Sequence, residues 1–324
     1  MKSAIIGLGV IAEVHIEVLK NIGAEITCVC DIDKEKAEKF LTVHGVDCKV
    51  YTDYREMLEN EKIDIVHICT PHYLHAEMCI FALEKDINVL CEKPLCIKKE
   101  EIDAIINAVN KSKAQLGVCL QNRYTNINMY VKELISEEKV TDAFGAVLWS
   151  RDKSYYDSAD WRGKWATEGG GAVINQALHT LDLLQWFCGM PNSVNGSIFN
   201  VSHEYVEVED SARARFVYDG GVFEFYASIS HNDDFAIQML LTTKDKKIII
   251  TDRNLIVNGK AMAFEAIKTQ NVKECYGNGH MNLIKDFYDC IINNRHFEID
   301  AYEGAKVIKL TLGIYESKGK TINI

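Results

Sequence analysis

A chain of 324 residues with 48% hydrophobic and 26% charged side chains can bury a large core but is too long for one typical domain, so two are expected. Its formal net charge of −11 argues against nucleic acid and anionic membrane surfaces as partners, because both demand a basic face. No long apolar run suited to crossing a membrane occurs, and the first residues enter a strand without a charged leader, so the expected location is the cytoplasm. The eleven cysteines fall within apparent strands and helices, as at Cys28, Cys30, Cys69, Cys91 and Cys119, and form no Cys-x-x-Cys pair. They read as reduced, buried, small apolar residues, and no metal-ligand spacing is present.

In chain order, Ser3-Ala4-Ile5-Ile6 predicts a buried strand, and Gly7-Leu8-Gly9-Val10-Ile11-Ala12 a tight turn opening a helix. Glycine there lets the backbone approach a pyrophosphate, and Ala12 lets the helix pack on the strand. The helix start offers unpaired N–H groups and a positive dipole end to an anion. A second strand, 25–30, ends at Asp31, whose carboxylate suits ribose hydroxyls and repels a 2′-phosphate, so NAD is expected over NADP. Helices at 34–43, 53–58, 74–84 and 98–111 then alternate with strands at 49–51, 63–69, 88–91 and 115–119. This rhythm implies right-handed crossovers and a doubly wound parallel sheet, an α/β Rossmann domain over residues 1–122. Ligands belong at the carboxyl ends of such strands, where Thr70-Pro71-His72, Glu92-Lys93-Pro94 and Gln121-Asn122-Arg123-Tyr124 fall.

The rhythm changes in residues 123–324. A helix at 128–136 and a strand at 144–151 precede an aromatic, polar loop at 154–167, and Gly169-Gly170-Gly171 introduces one helix over 172–187. Strands at 194–201, 209–217, 222–230, 236–243 and 246–252 predict an open, mainly antiparallel sheet. Helices at 280–293 and 302–314 and a short strand close this α/β domain, whose last helix is free to pack back on the first.

Several of these runs together resemble the Gfo/Idh/MocA oxidoreductases: Gly7 to Ala12 with His15, Thr70-Pro71-His72-Tyr73-Leu74-His75, Glu92-Lys93-Pro94, Gly169 to Asp182 with Asn175 and His179, and Ile314-Tyr315-Glu316-Ser317-Lys318. The resemblance implies NAD(P)-dependent oxidation or reduction of a small-molecule sugar or cyclitol, and homodimers or homotetramers built on the C-terminal sheet. Gly7, Gly9, Val10, Ile11, Ala12, Asp31, Thr70, Pro71, His75, Glu92 and Lys93 are the expected cofactor residues.

Oxidising a secondary alcohol requires a base for the hydroxyl proton as the hydride leaves. Asn175, His179 and Asp182, spaced by four and three residues, share one face of the expected helix, while Leu178, Leu181 and Leu184 face a core. His179 is the expected general base, since imidazole titrates near neutrality. Lys93, at a strand end, would bond the substrate hydroxyl and stabilise a developing alkoxide, as the family's Glu-Lys-Pro lysine does with the histidine. Pro94 is a candidate for a cis bond. Many polyol-oxidising members carry Asp where this chain has Asn175, and an amide holds no charge beside an imidazolium. Gln121, Arg123, Tyr124, Tyr155, Tyr156, Trp161, Arg162 and Trp165, with Asn175 and His179, are the expected substrate lining, because sugars present apolar ring faces and hydroxyl edges. Trp161 and Trp165 also fit as packing anchors, Asp182 as a support for the imidazole or the helix, and His15 as a structural group. Two rival functions remain at this level. One is a redox-neutral glycoside hydrolase or lyase that retains its NAD; the other is a non-catalytic NAD or sugar sensor, which has no need of both Lys93 and His179.

Overall fold

A computed structural model describes residues 1–251, 254–264 and 278–324. Its first part alternates strictly: β1 (Lys2–Ile6), α1 (Val10–Asn21), β2 (Glu25–Cys30), α2 (Lys34–His44), β3 (Lys49–Tyr51), α3 (Tyr54–Asn60), β4 (Ile65–Ile68), α4 (His75–Leu83), β5 (Asn88–Cys91), α5 (Lys99–Lys111) and β6 (Leu116–Val118). The six strands form one parallel sheet in the order β3-β2-β1-β4-β5-β6. Every residue of β4 is buried, as expected of a central parallel strand covered on both faces. Local chemistry sets the helix ends. Asp33 accepts from Lys36 N–H at 3.0 Å to open α2, and Asp53 accepts from Arg55 N–H at 2.8 Å to open α3. Strand order reverses beside β1, the place where such sheets bind nucleotides.

The second part contains α6 (Asn126–Leu134), β7 (Asp142–Leu148), α7 (Lys153–Asp157), α8 (Leu178–Cys188), β8 (Ser193–Phe199), β9 (Ser211–Tyr218), β10 (Gly221–Ser228), β11 (Gln238–Thr242), β12 (Lys247–Thr251), β13 (Leu255–Val257) and β14 (Lys260–Met262), followed by α9 (Gly279–Ile292), α10 (Ala301–Ser317) and β15 (Thr321–Asn323). Nine strands make a sheet in the order β14-β13-β12-β11-β7-β10-β9-β8-β15. All its neighbours are antiparallel except β7 and β10, which run parallel. Residues alternate between faces along β9, so Ala212, Ala214 and Phe216 are buried while Val217 is exposed. Helix α8 packs on the buried face at Gly145, where a Cβ would stand 2.9 Å from side-chain atoms of Thr180 and Leu184.

Two compact units result: residues 1–121 with 278–305, and residues 122–264 with Lys306–Ile324. Residues 278–305, expected in the second domain, thus belong to the first. The expected continuous helix over 172–187 is also corrected. Residues Ala172–Gln176 form a π turn, closed by Ala177 N–H on the Ala172 carbonyl at 2.9 Å, and α8 starts afresh at Leu178. Strands β13 and β14 were not foreseen, being three residues each, and the expected strand end at Asp252 lies outside the described residues. Among the described residues every cysteine is a free thiol, and no helix is long and apolar enough to cross a membrane.

Candidate functional site

In the first unit, Gly7 leaves β1 at φ 84°, a conformation that favours glycine, and a Cβ there would stand 2.8 Å from the Cys69 carbonyl and the Thr70 methyl. Gly9 caps α1 without a side-chain bond, and a Cβ at Gly9 would meet nothing within 4 Å. The turn is therefore tight on its inner side and open above the first N–H groups of α1. Val10 is 65% exposed and Ala12 fully buried against the sheet. This is a cradle that fits a dinucleotide pyrophosphate. Asp31 closes one side. Its carboxylate accepts from Leu8 N–H at 2.8 Å, Asp33 N–H at 3.1 Å and Lys36 Nζ at 2.8 Å. Burial works to raise the Asp31 carboxyl, but these bonds outweigh it and hold it below the usual carboxylate range.

Two loops follow at the strand ends. His75, the first residue of α4, is buried with Nδ1 2.7 Å from the Pro94 carbonyl and Nε2 2.8 Å from that of Thr70. It ties the Thr70-Pro71 loop to the Glu92-Lys93-Pro94 loop. Burial lowers its pKa, and a neutral imidazole donates to one of the two carbonyls. The Lys93–Pro94 bond is cis. Glu92 is 5% exposed; Nε2 of His15 donates to its Oε1 at 2.8 Å, His280 approaches the same oxygen at 3.3 Å, and the Lys93 N–H reaches Oε2 at 3.2 Å. Burial opposes its charge, yet the two histidines hold this carboxyl well below its ordinary range. Lys93 is half-buried after the fully buried Leu90 and Cys91.

In the second unit, the glycine run is dictated from elsewhere in the chain. A Cβ at Gly170, φ 143°, would collide with the Tyr315 hydroxyl of α10, and one at Gly171 with the Glu209 carbonyl. Glu209, 3% exposed, accepts from Gly171 N–H at 2.9 Å, Val173 N–H at 3.0 Å and the Tyr315 hydroxyl at 3.0 Å. Burial pushes its carboxyl up to about 7 against those bonds. The π turn built on this support presents Asn175 and Gln176, and His179 follows in the first turn of α8; all three are half-buried. Asn175 Nδ2 donates to the buried Glu168 carboxylate and, at 3.0 Å, to the Tyr155 hydroxyl. Gln176 Nε2 also reaches that hydroxyl at 2.8 Å, as does Arg162, whose guanidinium lies between the rings of Tyr155 (4.2 Å) and Trp161 (4.6 Å).

The structure thus groups Tyr155, Trp161, Arg162 and Asn175, and adds Glu168, Gln176 and Glu209, which sequence reasoning missed. The carboxylate immediately before the glycine run was the signal for Glu168. Two of the expected substrate residues are buried. Arg123 is 4% exposed and forks onto the fully buried Asp182 at 2.8 and 2.6 Å, so Asp182 neutralises Arg123. Tyr156 is 7% exposed among Tyr155, His203 and Tyr205. Trp165 is partly exposed, with its indole N–H on the Glu207 carbonyl at 2.9 Å and its ring edge against Tyr315. Gln121 is 2% exposed at the end of the first unit's main segment, and Tyr124 is half-buried.

Comparison with known proteins places this geometry among relatives. Residues 1–120 match the model of the GFO/IDH/MocA oxidoreductase family with NAD-binding Rossmann fold, and residues 129–248 match the family's C-terminal domain. Inositol 2-dehydrogenase of Salmonella typhimurium is 26% identical over 189 residues, 57% of this chain and 54% of the relative. Levoglucosan dehydrogenase of Pseudarthrobacter phenanthrenivorans is 32% identical over 151 residues, 44% of this chain and 38% of the relative. The chain spans about half the length, or less, of these curated relatives. Among solved structures, the WlbA dehydrogenase of Bordetella pertussis, in complex with NADH and UDP-GlcNAcA, superposes with a TM-score of 0.87 at 23% identity, covering 100% of this chain and 98% of that one. A levoglucosan dehydrogenase with NADH and levoglucosan gives 0.88 at 20% identity, covering 100% and 99%.

Proposed function

The chain belongs to the Gfo/Idh/MocA oxidoreductases, and from that premise we propose that it transfers a hydride between NAD and a ring hydroxyl or ketone of a sugar, glycoside or cyclitol. The observation that carries this reading is the Asn175 amide bound to the buried Glu168 carboxylate, four residues before His179, in a chain whose first unit holds an open glycine cradle. The residues Gly7 to Ala12 and Asp31 would hold NAD, which supplies the hydride acceptor. His179 takes the hydroxyl proton as the hydride departs. Lys93, of the Glu-Lys-Pro run, is the group suited to stabilise developing negative charge on a substrate oxygen. Asn175 orients a neighbouring hydroxyl, and Glu168 behind it supplies the negative charge that an amide lacks. Tyr155, Trp161 and Arg162 offer the aromatic planes and donor fork that a sugar ring requires.

The Asp31 carboxylate, at the end of β2, supports NAD over NADP, since it would repel a 2′-phosphate placed beside it. Exposed Val217, Leu240 and Ile249 on the open face of the second sheet support a homo-oligomer built there. The test is absorbance at the reduced-nicotinamide band with NAD or NADP and a panel of free sugars, glycosides, uronates and inositols. NADH formed with one chemical class supports the reading. Glycosides cleaved without net NADH, in protein that purifies with its cofactor, would replace it with redox-neutral chemistry.

A further inference from the structure

The first unit carries a file of buried polar side chains that the roles above leave unused. Ser3 Oγ lies 2.7 Å from the Tyr288 hydroxyl, which lies 2.9 Å from Nε2 of His67. Nδ1 of His67 is 2.7 Å from Nδ1 of His15, whose Nε2 is 2.8 Å from Glu92. None of the five is more than 5% exposed. Strand register gives the file its direction. Ser3 pairs with Ile65 and Ile5 with His67, His67 pairs with Leu90, and Glu92 lies two residues beyond. The file therefore advances four residues along the strands, about 13 Å, from the amino edge of the sheet to the edge where Lys93 sits. Its outer end adjoins exposed Lys2, whose backbone N–H is held by the exposed Asp64 carboxylate at 2.7 Å.

Donor rules fix the sense of the link at Glu92, and a single proton on each histidine ring then sets the rest. A carboxylate only accepts, so His15 Nε2–H donates to Glu92. With a single ring proton, at Nε2, His15 offers a lone pair at Nδ1, which requires His67 to donate from Nδ1–H. His67 Nε2 in turn accepts from the Tyr288 hydroxyl, whose oxygen accepts from Ser3. Burial, the largest cause, pushes the His67 pKa well below its ordinary value, which keeps that ring neutral. His280 on α9 also faces Glu92, and the Cys119 thiol lies close to both Glu92 and His15. His15, Glu92 and Cys119 would also suit a metal ion. However, ligand atoms around zinc at about 2.0–2.1 Å stand ~3.3 Å apart, and the 2.8 Å from His15 to Glu92 is the length of a hydrogen bond.

We propose that Ser3, Tyr288, His67 and His15 form a proton path linking Glu92, beside Lys93, to the amino edge of the sheet. Its purpose rests on the oxidoreductase reading: oxidising an alcohol to a ketone with NAD leaves one proton to dispose of, and reduction takes one up. A proton arriving at Ser3 displaces the Ser3 proton to Tyr288, the Tyr288 proton to His67 Nε2, the His67 Nδ1 proton to His15 Nδ1, and the His15 Nε2 proton to Glu92. Glu92 is neutral only in passing, since the histidines hold its carboxyl well below the ordinary range, and each link re-forms with reversed sense; the opposite sequence discharges it, and no electrons move.

The test uses the full chain with 15N-labelled histidine and needs no substrate. Long-range 15N–1H spectra should show His15 as the Nε2–H tautomer and His67 as the Nδ1–H tautomer. Their ring protons should exchange with water faster than the Ala4 and Ile5 amides of β1. Tyr288→Phe, which removes one hydroxyl, should slow that exchange by about tenfold or more, as should the smaller change Ser3→Ala, with NADH affinity unchanged in both. A purely structural file predicts the reverse, because losing a buried hydrogen bond loosens the core and speeds exchange. Exchange that is unchanged or faster in a folded variant, one shared tautomer, or stoichiometric capture of added Zn2+ by His15 would overturn the proposal. Failure to bind NADH would count against the oxidoreductase reading and leave the exchange result to be judged alone.

Discussion

Substituting alanine at Gly7 and at Gly9 separates the two jobs of the first turn. At Gly7 the φ of 84° costs an L-residue roughly 1–2 kcal/mol, and a Cβ 2.8 Å from backbone and methyl atoms adds roughly 1–3 kcal/mol of overpacking. Gly7→Ala should therefore lose about 2–5 kcal/mol, a melting-temperature drop on the order of 10 °C, together with cofactor binding. At Gly9 the backbone is ordinary and the space open. The lower chain entropy of the unfolded state gains about 0.4–1 kcal/mol, and the poorer N-cap returns about half a kcal/mol, so stability should stay within ~1 kcal/mol of the parent. The new methyl nevertheless stands where a pyrophosphate must approach. Thermal melts with and without NADH decide the matter: at a hundredfold excess over Kd the parent gains about 2.7 kcal/mol of apparent stability, and Gly9→Ala should gain almost none. A Gly9→Ala protein stabilised by NADH as fully as the parent would refute the cradle.

His179→Ala should lower turnover by about 10²–10⁴-fold while NADH titrates normally; unchanged turnover removes it as the base. Arg123→Ala removes the guanidinium paired with the fully buried Asp182 and should cost about 3–5 kcal/mol in urea unfolding, with a double replacement by apolar residues recovering most of it. Asp31→Ser frees Lys36 and removes the carboxylate, so the ratio of NADP to NAD affinity should rise about tenfold or more in a fluorescence titration. For Glu209, the folded carboxyl sits near 7 against 4.5 when unfolded, so the native state holds the extra proton between those values and stability falls as pH rises through that window, by up to about 3 kcal/mol. Glu209→Gln should flatten this part of the stability–pH curve, as read from melts between pH 5 and 8; an unaltered slope would mean that Glu209 is charged throughout.

The alternation of 34–111 and the glycine turn were legible because each depends on near neighbours. Parallel strands buried on both faces read as unbroken apolar runs, as 65–68 does, and caps such as Asp33 and Asp53 lie within three residues of the N–H groups they hold. The positions of Lys93, at the end of a strand, and of His179, after a glycine run, were likewise legible.

What periodicity does not encode is the partner that arrives from far along the chain. Arg123 looked like a substrate fork until Asp182, fifty-nine positions away, took both its arms. The glycines before α8 looked like a mere helix start. They are small because Tyr315 and Glu209 fill the space a side chain would need, and the π turn beside them shifts the phase that made Asn175, His179 and Asp182 look like one stripe. The chain by itself determined the order and type of most elements and the glycine turn at its start. Tertiary structure decided which charges are paired inside the protein, because a buried charge is governed by whatever group lies within hydrogen-bond reach, at any separation in sequence.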